Sequence, residues 1–199
     1  MKWVGITGSI GTGKSTVSQI LRQLGYQVLD ADLIAKKFLD KKSPVFEAIV
    51  DHFGKEILDA QGEINKKILA EIVFNNKNEL NYLESLTHPL VQKEVQDSKL
   101  KAISENTSIL FYDVPLLYEK KLQDQFDFVV VVSSTLDQQI ERIKKRNNWS
   151  NEEIKRRISN QIPLTQKEKL ASYVIQNNSD MKSLEEEVGK VIKSILSLN

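Results

Sequence analysis

The sequence predicts an α/β protein: a doubly wound, parallel sheet of five strands, with a helical excursion and a small helical lid. Three observations point there. Short apolar runs of strand length alternate with longer stretches whose apolar residues recur at helical spacing, the pattern of successive β-α units. One run, Phe126 to Val132, contains four consecutive valines, as an interior strand covered on both faces should. A glycine-rich turn near the N-terminus lies between a strand-like run and a helical one.

In chain order, Trp3-Val4-Gly5-Ile6-Thr7 reads as a short buried strand. Gly8-Ser9-Ile10-Gly11-Thr12-Gly13-Lys14-Ser15, followed by Thr16, fits G-x-x-x-x-G-K-[ST], the phosphate-cradling P-loop. Glycines let the backbone turn tightly enough for successive N–H groups to face phosphate oxygens. The following helix offers its free N–H groups and positive dipole end to the same anion. Gly11, Thr12, Gly13, Lys14, Ser15 and Thr16 are thus the candidate ATP-binding residues, with Lys14 on the β- and γ-phosphates and the Ser15 hydroxyl on Mg²⁺. Four fixed letters match by accident in roughly one chain in a hundred of this length. Context adds to them: Val17, Ile20, Leu21 and Leu24 form one helix face, and Gly25 supplies a C-terminal stop.

Gln27-Val28-Leu29 is a second short strand, ending in Asp30-Ala31-Asp32 before the helical Leu33-Ile34-Ala35. Ligands of open α/β sheets bind outside the carboxyl ends of the strands, so Asp32 is a candidate base for an acceptor hydroxyl. Helix capping is the competing role, and suits Asp30 better. Residues 43–106 read as mainly helical. Phe46, Ile49, Val50 and Phe53 form one amphipathic face and Ile68, Leu69, Ile72 and Val73 another, joined by the turn Asp59-Ala60-Gln61-Gly62. His88-Pro89 is expected to open a further helix, with Pro in its first turn. An excursion placed between the second and third strands suits an acceptor-binding subdomain.

Ser108 to Asp113 is the third strand. Asp113 stands where a Walker-B Asp would hold a water on Mg²⁺, or is an ordinary strand-end residue. The loop Val114-Pro115-Leu116-Leu117-Tyr118-Glu119 is unusually apolar, as if packed on a substrate or on the excursion. After the valine strand, Leu136, Ile140 and Ile143 begin a helix; Val174-Ile175 is the last strand, and Leu184, Val188, Ile192 and Ile195 line the final helix. Between them, residues 142–157 carry Arg142, Lys144, Lys145, Arg146, Lys155, Arg156 and Arg157. Arg142 and Arg146 share a helix face, which is unfavourable unless an anion lies between them. A lid bringing guanidinium groups to the transferring phosphoryl would use such a pair. A solvated helix laced by the i,i+4 pairs Glu141–Lys145 and Glu153–Arg157 is the alternative.

Composition bounds the function. The 199 residues suit one domain, with a core of 1–34, 107–136 and 170–199, an excursion at about 35–106 and a lid at about 137–169. Against 28 Lys+Arg stand 27 Asp+Glu, so nucleic acid is not expected as a partner. Cysteine is absent, which excludes disulfides and Cys-bound metal. No apolar run approaches a membrane span and no signal peptide precedes the first strand, so a cytoplasmic enzyme is expected.

Together these motifs resemble the dephospho-coenzyme A kinase family. The resemblance runs from about residue 2 to about 178 through the P-loop, Leu29 to Ala35, Thr87-His88-Pro89-Leu90-Val91 and Pro115-Leu116-Leu117-Tyr118-Glu119. It continues in Gln139-Ile140-Glu141-Arg142 with Arg146, Arg157-Ile158 with Gln161, and Ala171 to Asn177. It implies ATP-dependent phosphorylation of the ribose 3′-hydroxyl of dephospho-CoA, the last step of coenzyme A synthesis. Asp32 would accept the hydroxyl proton. Lys14 and Mg²⁺ would neutralise the phosphates, and Arg142 and Arg146 would be the lid arginines. His88, Pro115 and Leu116 would lie near dephospho-CoA, and Asn177 beside adenine. Ser172 and Asn147 depart from the pattern, since the family usually has Asp at both. A regulatory GTPase would have to use Asp59-Ala60-Gln61-Gly62 inside a helical region and Asn76-Lys77-Asn78-Glu79 without its guanine-reading Asp. A nucleoside-monophosphate kinase would not call for the His88-Pro89 and Pro115-to-Glu119 motifs, and a non-catalytic adaptor would not need Lys14, Ser15 and Asp32 together.

Overall fold

The computed structural model describes residues 1–147 and 149–198. The chain divides into two compact units, one of Met1–Leu29 with the segment from Ala102 onward, the other of Asp30–Lys101. Along the chain, β1 (Lys2–Gly8), α1 (Lys14–Gln23) and β2 (Gln27–Asp30) lead into α2 (Ala31–Lys37), α3 (Phe46–Phe53), α4 (Lys66–Asn75) and α5 (Lys77–Ser104). Then come β3 (Ile109–Asp113), β4 (Phe128–Ser133), α6 (Leu136–Arg146), α7 (Asn151–Ser159), α8 (Leu164–Leu170), β5 (Tyr173–Gln176) and α9 (Met181–Ser197). Each predicted strand is present, with its ends within two residues of those expected.

The sheet is parallel, in the order β2-β3-β1-β4-β5. Side chains of a strand alternate between faces, and the sequence supplies apolar residues for both. Val4, Ile6, Ile109, Phe111, Val130, Val132 and Ile175 face α1 and α9, meeting Val17, Ile20, Leu21, Leu184, Val188, Ile192 and Ile195. Val129 and Val131 belong to a cluster with Val114, Leu117 and Tyr118, against which Ile162, Leu164 and Ala171 pack. The four valines of β4 therefore divide two and two, each burial contributing about 1.5–3 kcal/mol. Trp3 stacks between Tyr112 and Phe126, with ring centroids 5.5 and 5.4 Å away.

The register brings the functional ends of the strands level. Ile6 pairs with Asp113, and Gly8 with Val132. The chain thus leaves β1 for the P-loop two residues beyond the height of Asp113, and α1 returns beside it.

The unit Asp30–Lys101 has its own core of Phe46, Ile49, Val50, Phe53, Ile57, Ile64, Leu69 and Val73. The Asp59–Gly62 segment is a turn held by its own Asp: the Asp59 carboxylate accepts N–H bonds from Gln61 and Glu63 at 2.9 and 3.0 Å, and Gly62 has φ 73°. Asn76 caps the start of α5, accepting the Asn78 N–H at 2.9 Å. Local turn and cap chemistry thus accounts for both GTPase-like tetrads.

One expectation fails. Pro89 does not open a helix; it lies inside the 28-residue α5. The helix continues because packed positions recur without interruption on both sides, through Leu83, Leu86, Thr87, Leu90, Val91, Glu94 and Val95. Pro89 and Ser85, whose carbonyl loses its helical partner, are both exposed, so water can take the orphaned acceptor.

Candidate active site

The site begins where α1 begins. Its N-cap is Gly13, at φ 90°, with no side-chain cap and no acid in the first turn. Five other helices start differently: Asp30, Asn65, Thr135, Ser150 and Asp180 cap α2, α4, α6, α7 and α9 with side-chain oxygens. Thr12 and Ile10 have intramolecular acceptors for their N–H groups, Ser9 O and Gln161 Oε1. Among the described residues, none accepts from the N–H groups of Gly11, Gly13, Lys14 or Ser15. A helix end left open in this way, with glycines at φ 81° and 90° turning the backbone, is an anion cradle.

Around it the loop is braced through one carbonyl. Thr12 O accepts from Asn177 Nδ2 at 2.9 Å and from Arg142 Nη1 at 3.2 Å, while Arg142 Nη2 donates to Asn177 O at 2.8 Å. Asn177 is buried after β5, and a Cβ on Gly13 would collide with its amide. Arg142 and Asn177, far apart in sequence, therefore meet at the loop. Arg146 does not join them; its Nε donates to Asn147 Oδ1 at 2.9 Å. The like charges separate because Arg142 turns inward to the carbonyl oxygens of Thr12 and Asn177 in place of a shared anion.

Lys14 forms an ion pair with Asp113, whose second oxygen accepts from Ser18 Oγ at 2.8 Å. Asp113 is 2 % exposed. Ser18 was not singled out from the sequence, though a serine among Val17, Ile20 and Leu21 on a core face is itself a signal, since a buried hydroxyl needs a partner. Ser15, one residue beyond Lys14, is exposed in the first turn. An exposed hydroxyl and a nearby strand-end carboxylate are oxygen donors, the type Mg²⁺ takes alongside substrate phosphates.

The loop after β3 starts at the same height. Pro115 O accepts from Thr7 Oγ1 at 3.1 Å, Leu117 and Tyr118 are buried, and Leu116 is 38 % exposed. Burial pushes the Tyr118 hydroxyl pKa up, so the group stays protonated. Glu119 meets the fully buried Lys167 at 2.7 Å.

The basic segment forms the helices α6 and α7. Both predicted i,i+4 pairs exist, Lys145–Glu141 and Arg157–Glu153, each at 2.7 Å. The Arg157 hydrogen bond holds the Glu153 carboxyl below its ordinary pKa, and the Arg157 guanidinium also lies 4.1 Å from the centre of the Trp149 ring.

In the other unit, Asp30 is the α2 cap, accepting the Leu33 N–H at 2.9 Å, and Asp32 is exposed in the first turn. His88 is exposed on α5, with Nε2 3.5 Å from Glu84 Oε1.

Both departures from the family pattern keep a hydrogen-bond acceptor in place. Ser172 Oγ accepts the Val129 N–H at 3.0 Å while its own N–H donates to Val129 O, extending the pairing of β4 and β5. Asn147 supplies the oxygen for Arg146.

A parallel sheet whose first strand opens into an uncapped, Lys-bearing glycine loop defines a P-loop protein, built to bind a nucleoside triphosphate. Shikimate kinase from Acinetobacter baumannii shares the fold, with a TM-score of 0.53 at 14 % identity over 100 % of this chain and 96 % of that one. The family model for dephospho-CoA kinase matches residues 2–183. A dephospho-CoA kinase from Bdellovibrio bacteriovorus is 42 % identical over 97 % of this chain and 96 % of its own length. The structure of dephospho-CoA kinase from Campylobacter jejuni superposes with a TM-score of 0.72 at 33 % identity, covering 97 % of this chain and 96 % of that one. The chain belongs to the dephospho-CoA kinase family.

Proposed function

We propose that this chain transfers the γ-phosphoryl of ATP to the ribose 3′-hydroxyl of dephospho-CoA, giving coenzyme A and ADP. The observation that carries the phosphoryl-donor half is the uncapped start of α1, with the open N–H groups of Gly11, Gly13, Lys14 and Ser15, and membership of the family supports the acceptor. Those amides bind phosphate oxygens, and Lys14 moves from Asp113 to the β- and γ-phosphates when the nucleotide binds. Ser15 and Asp113 are the oxygen-bearing residues that would hold Mg²⁺, which when bound would neutralise charge on the β- and γ-phosphates. Arg142 and Asn177 keep the loop in shape on its nucleotide side, and Arg146 is left to approach the transferring group. Asp32 takes the proton from the 3′-hydroxyl. That oxygen bonds to the γ-phosphorus as the bond from phosphorus to the β,γ-bridging oxygen breaks, and ADP departs with the electron pair.

Residues 30–101 serve as the acceptor-binding subdomain, with His88 on the dephospho-CoA, and Pro115 and the exposed Leu116 contact it from the loop after β3. Residues 137–169 serve as the lid. No helix among the described residues is long and apolar enough to cross a membrane. The near balance of charge supports small-molecule partners, and the enzyme family supports a cytoplasmic setting.

A coupled ADP-release assay across dephospho-CoA, adenosine, AMP and shikimate tests the proposal. Dephospho-CoA should be turned over fastest. A faster rate with any of the others overturns the acceptor assignment.

A further inference from the structure

The segment joining α7 to α8 is tied at two successive residues to two different loops. Gln161 Oε1 accepts the Ile10 N–H at 3.0 Å, inside the P-loop. Ile162 N–H donates to Glu119 Oε1, also at 3.0 Å, and the same oxygen faces Lys167 Nζ at 2.7 Å. Lys167 is fully buried, so Glu119 is fixed by a charge that cannot move to water. At its other end, the loop containing Glu119 is tied back to β1 by the Thr7 hydroxyl on Pro115 O. Thr7–Pro115, Glu119–Ile162 and Gln161–Ile10 thus close a ring through the P-loop, the loop after β3 and the segment leaving α7.

Within this ring Ile10 has a particular place. Its N–H precedes the glycine turn and is taken by a side chain, whereas those of Gly11, Gly13, Lys14 and Ser15 remain open. Fixing the peptide before Gly11 limits the orientations of the next few peptides, because glycine in the left-handed region is otherwise free to turn either way. Gln161 is only half-buried, and its amide contributes no large apolar surface. Its bond to Ile10 therefore holds the loop in shape more than it holds the core together.

We propose that Gln161 is a positioning residue for the phosphate loop: it holds the Ile10 amide so that the open amides of Gly11, Gly13, Lys14 and Ser15 converge on the phosphates. The proposal rests on the ATP-binding reading of the loop. Glu119 and Lys167 support Gln161 by fixing the adjacent Ile162.

Gln161→Met removes the acceptor at similar volume, and Gln161→Asn keeps the amide but shortens it by a methylene, out of reach of Ile10. Both variants should raise the KM for ATP and the Kd for ADP about 10-fold, the loss expected for one hydrogen bond to a preorganised anion site. The KM for dephospho-CoA and the melting temperature should stay at wild-type values. In the nucleotide-free protein the Ile10 amide should exchange with deuterium faster in both variants. A KM for ATP within twofold of wild type overturns the proposal, as does an equal rise in both KM values or unchanged Ile10 exchange. ADP binding is measured without any acceptor, so it tests Gln161 even if wild-type protein prefers another substrate. Wild-type protein that bound no ADP would instead remove the reading of the loop itself.

Discussion

Asp30 and Asp32 carry the same side chain two residues apart, and their positions at the start of α2 separate their roles. Asp30 is extended, with φ −126° and ψ 114°, and its carboxylate is spent on the Leu33 N–H. Asp32 lies two residues further, already helical and exposed. The Asp30 carboxylate is committed to the helix start, so Asp32 is the residue proposed as the base. Asp32→Asn should lower turnover by about 10²-fold or more, the usual worth of a positioned base, with ADP affinity unchanged. Steady-state turnover beside calorimetric ADP titration checks it, and normal turnover would remove Asp32 from the mechanism. The P-loop letters and this capping choice were legible in the sequence because both are local. The contacts of Arg142 with Thr12, Gln161 with Ile10 and Lys167 with Glu119 were not, because their partners are separated by 130, 151 and 48 residues and only the fold brings them together.

Among elements, strands and helices followed their periodicity closely, and the error lay where a single residue was given too much weight. Proline usually ends helices, but the packed stripe of α5 runs through Pro89, and tertiary burial outweighed one lost hydrogen bond. At α9 the local signal and the packing agree. Its core residues Leu184, Val188, Ile192 and Ile195 follow helical spacing, and Asp180 caps it through the Ser183 N–H at 2.8 Å. Hydrogen bonds from the Ser183 backbone and then its side chain hold the Asp180 pKa below its ordinary value, against a smaller desolvation effect. The cap therefore stabilises the fold above the ordinary carboxylate range, and the contribution is lost as pH falls through the lowered folded-state pKa. Asp180→Ala should lower the melting temperature at pH 7, and the gap to wild type should narrow as the buffer is taken down through pH 4 toward about 2. A gap that stays constant across that series would mean that the carboxylate charge has no part in the cap.

For the whole molecule, the division into two compact units, each with its own hydrophobic cluster, separates the parts of the proposed reaction along the chain. The residues proposed for the nucleotide, Gly11–Thr16, Asn177 and Arg142, all fall in the first unit, while Asp32 and His88, proposed for the acceptor, fall in the second. Ligands that order a region suppress its opening, and amide hydrogen exchange reads that suppression segment by segment. ADP should therefore slow exchange at residues 9–16 and 160–162, where open amides acquire acceptors and the Gln161 tie is reinforced. Dephospho-CoA alone should instead slow exchange within 30–101, chiefly around Asp32 and His88, and at the loop from Pro115 to Glu119. The two patterns should add when both ligands are present. Protection by dephospho-CoA confined to residues 9–16 would mean that it occupies the nucleotide loop, and residues 30–101 would lose their assignment as the acceptor-binding subdomain. Protection spread evenly over both units by either ligand alone would show global stabilisation, and would remove the separation of roles between them.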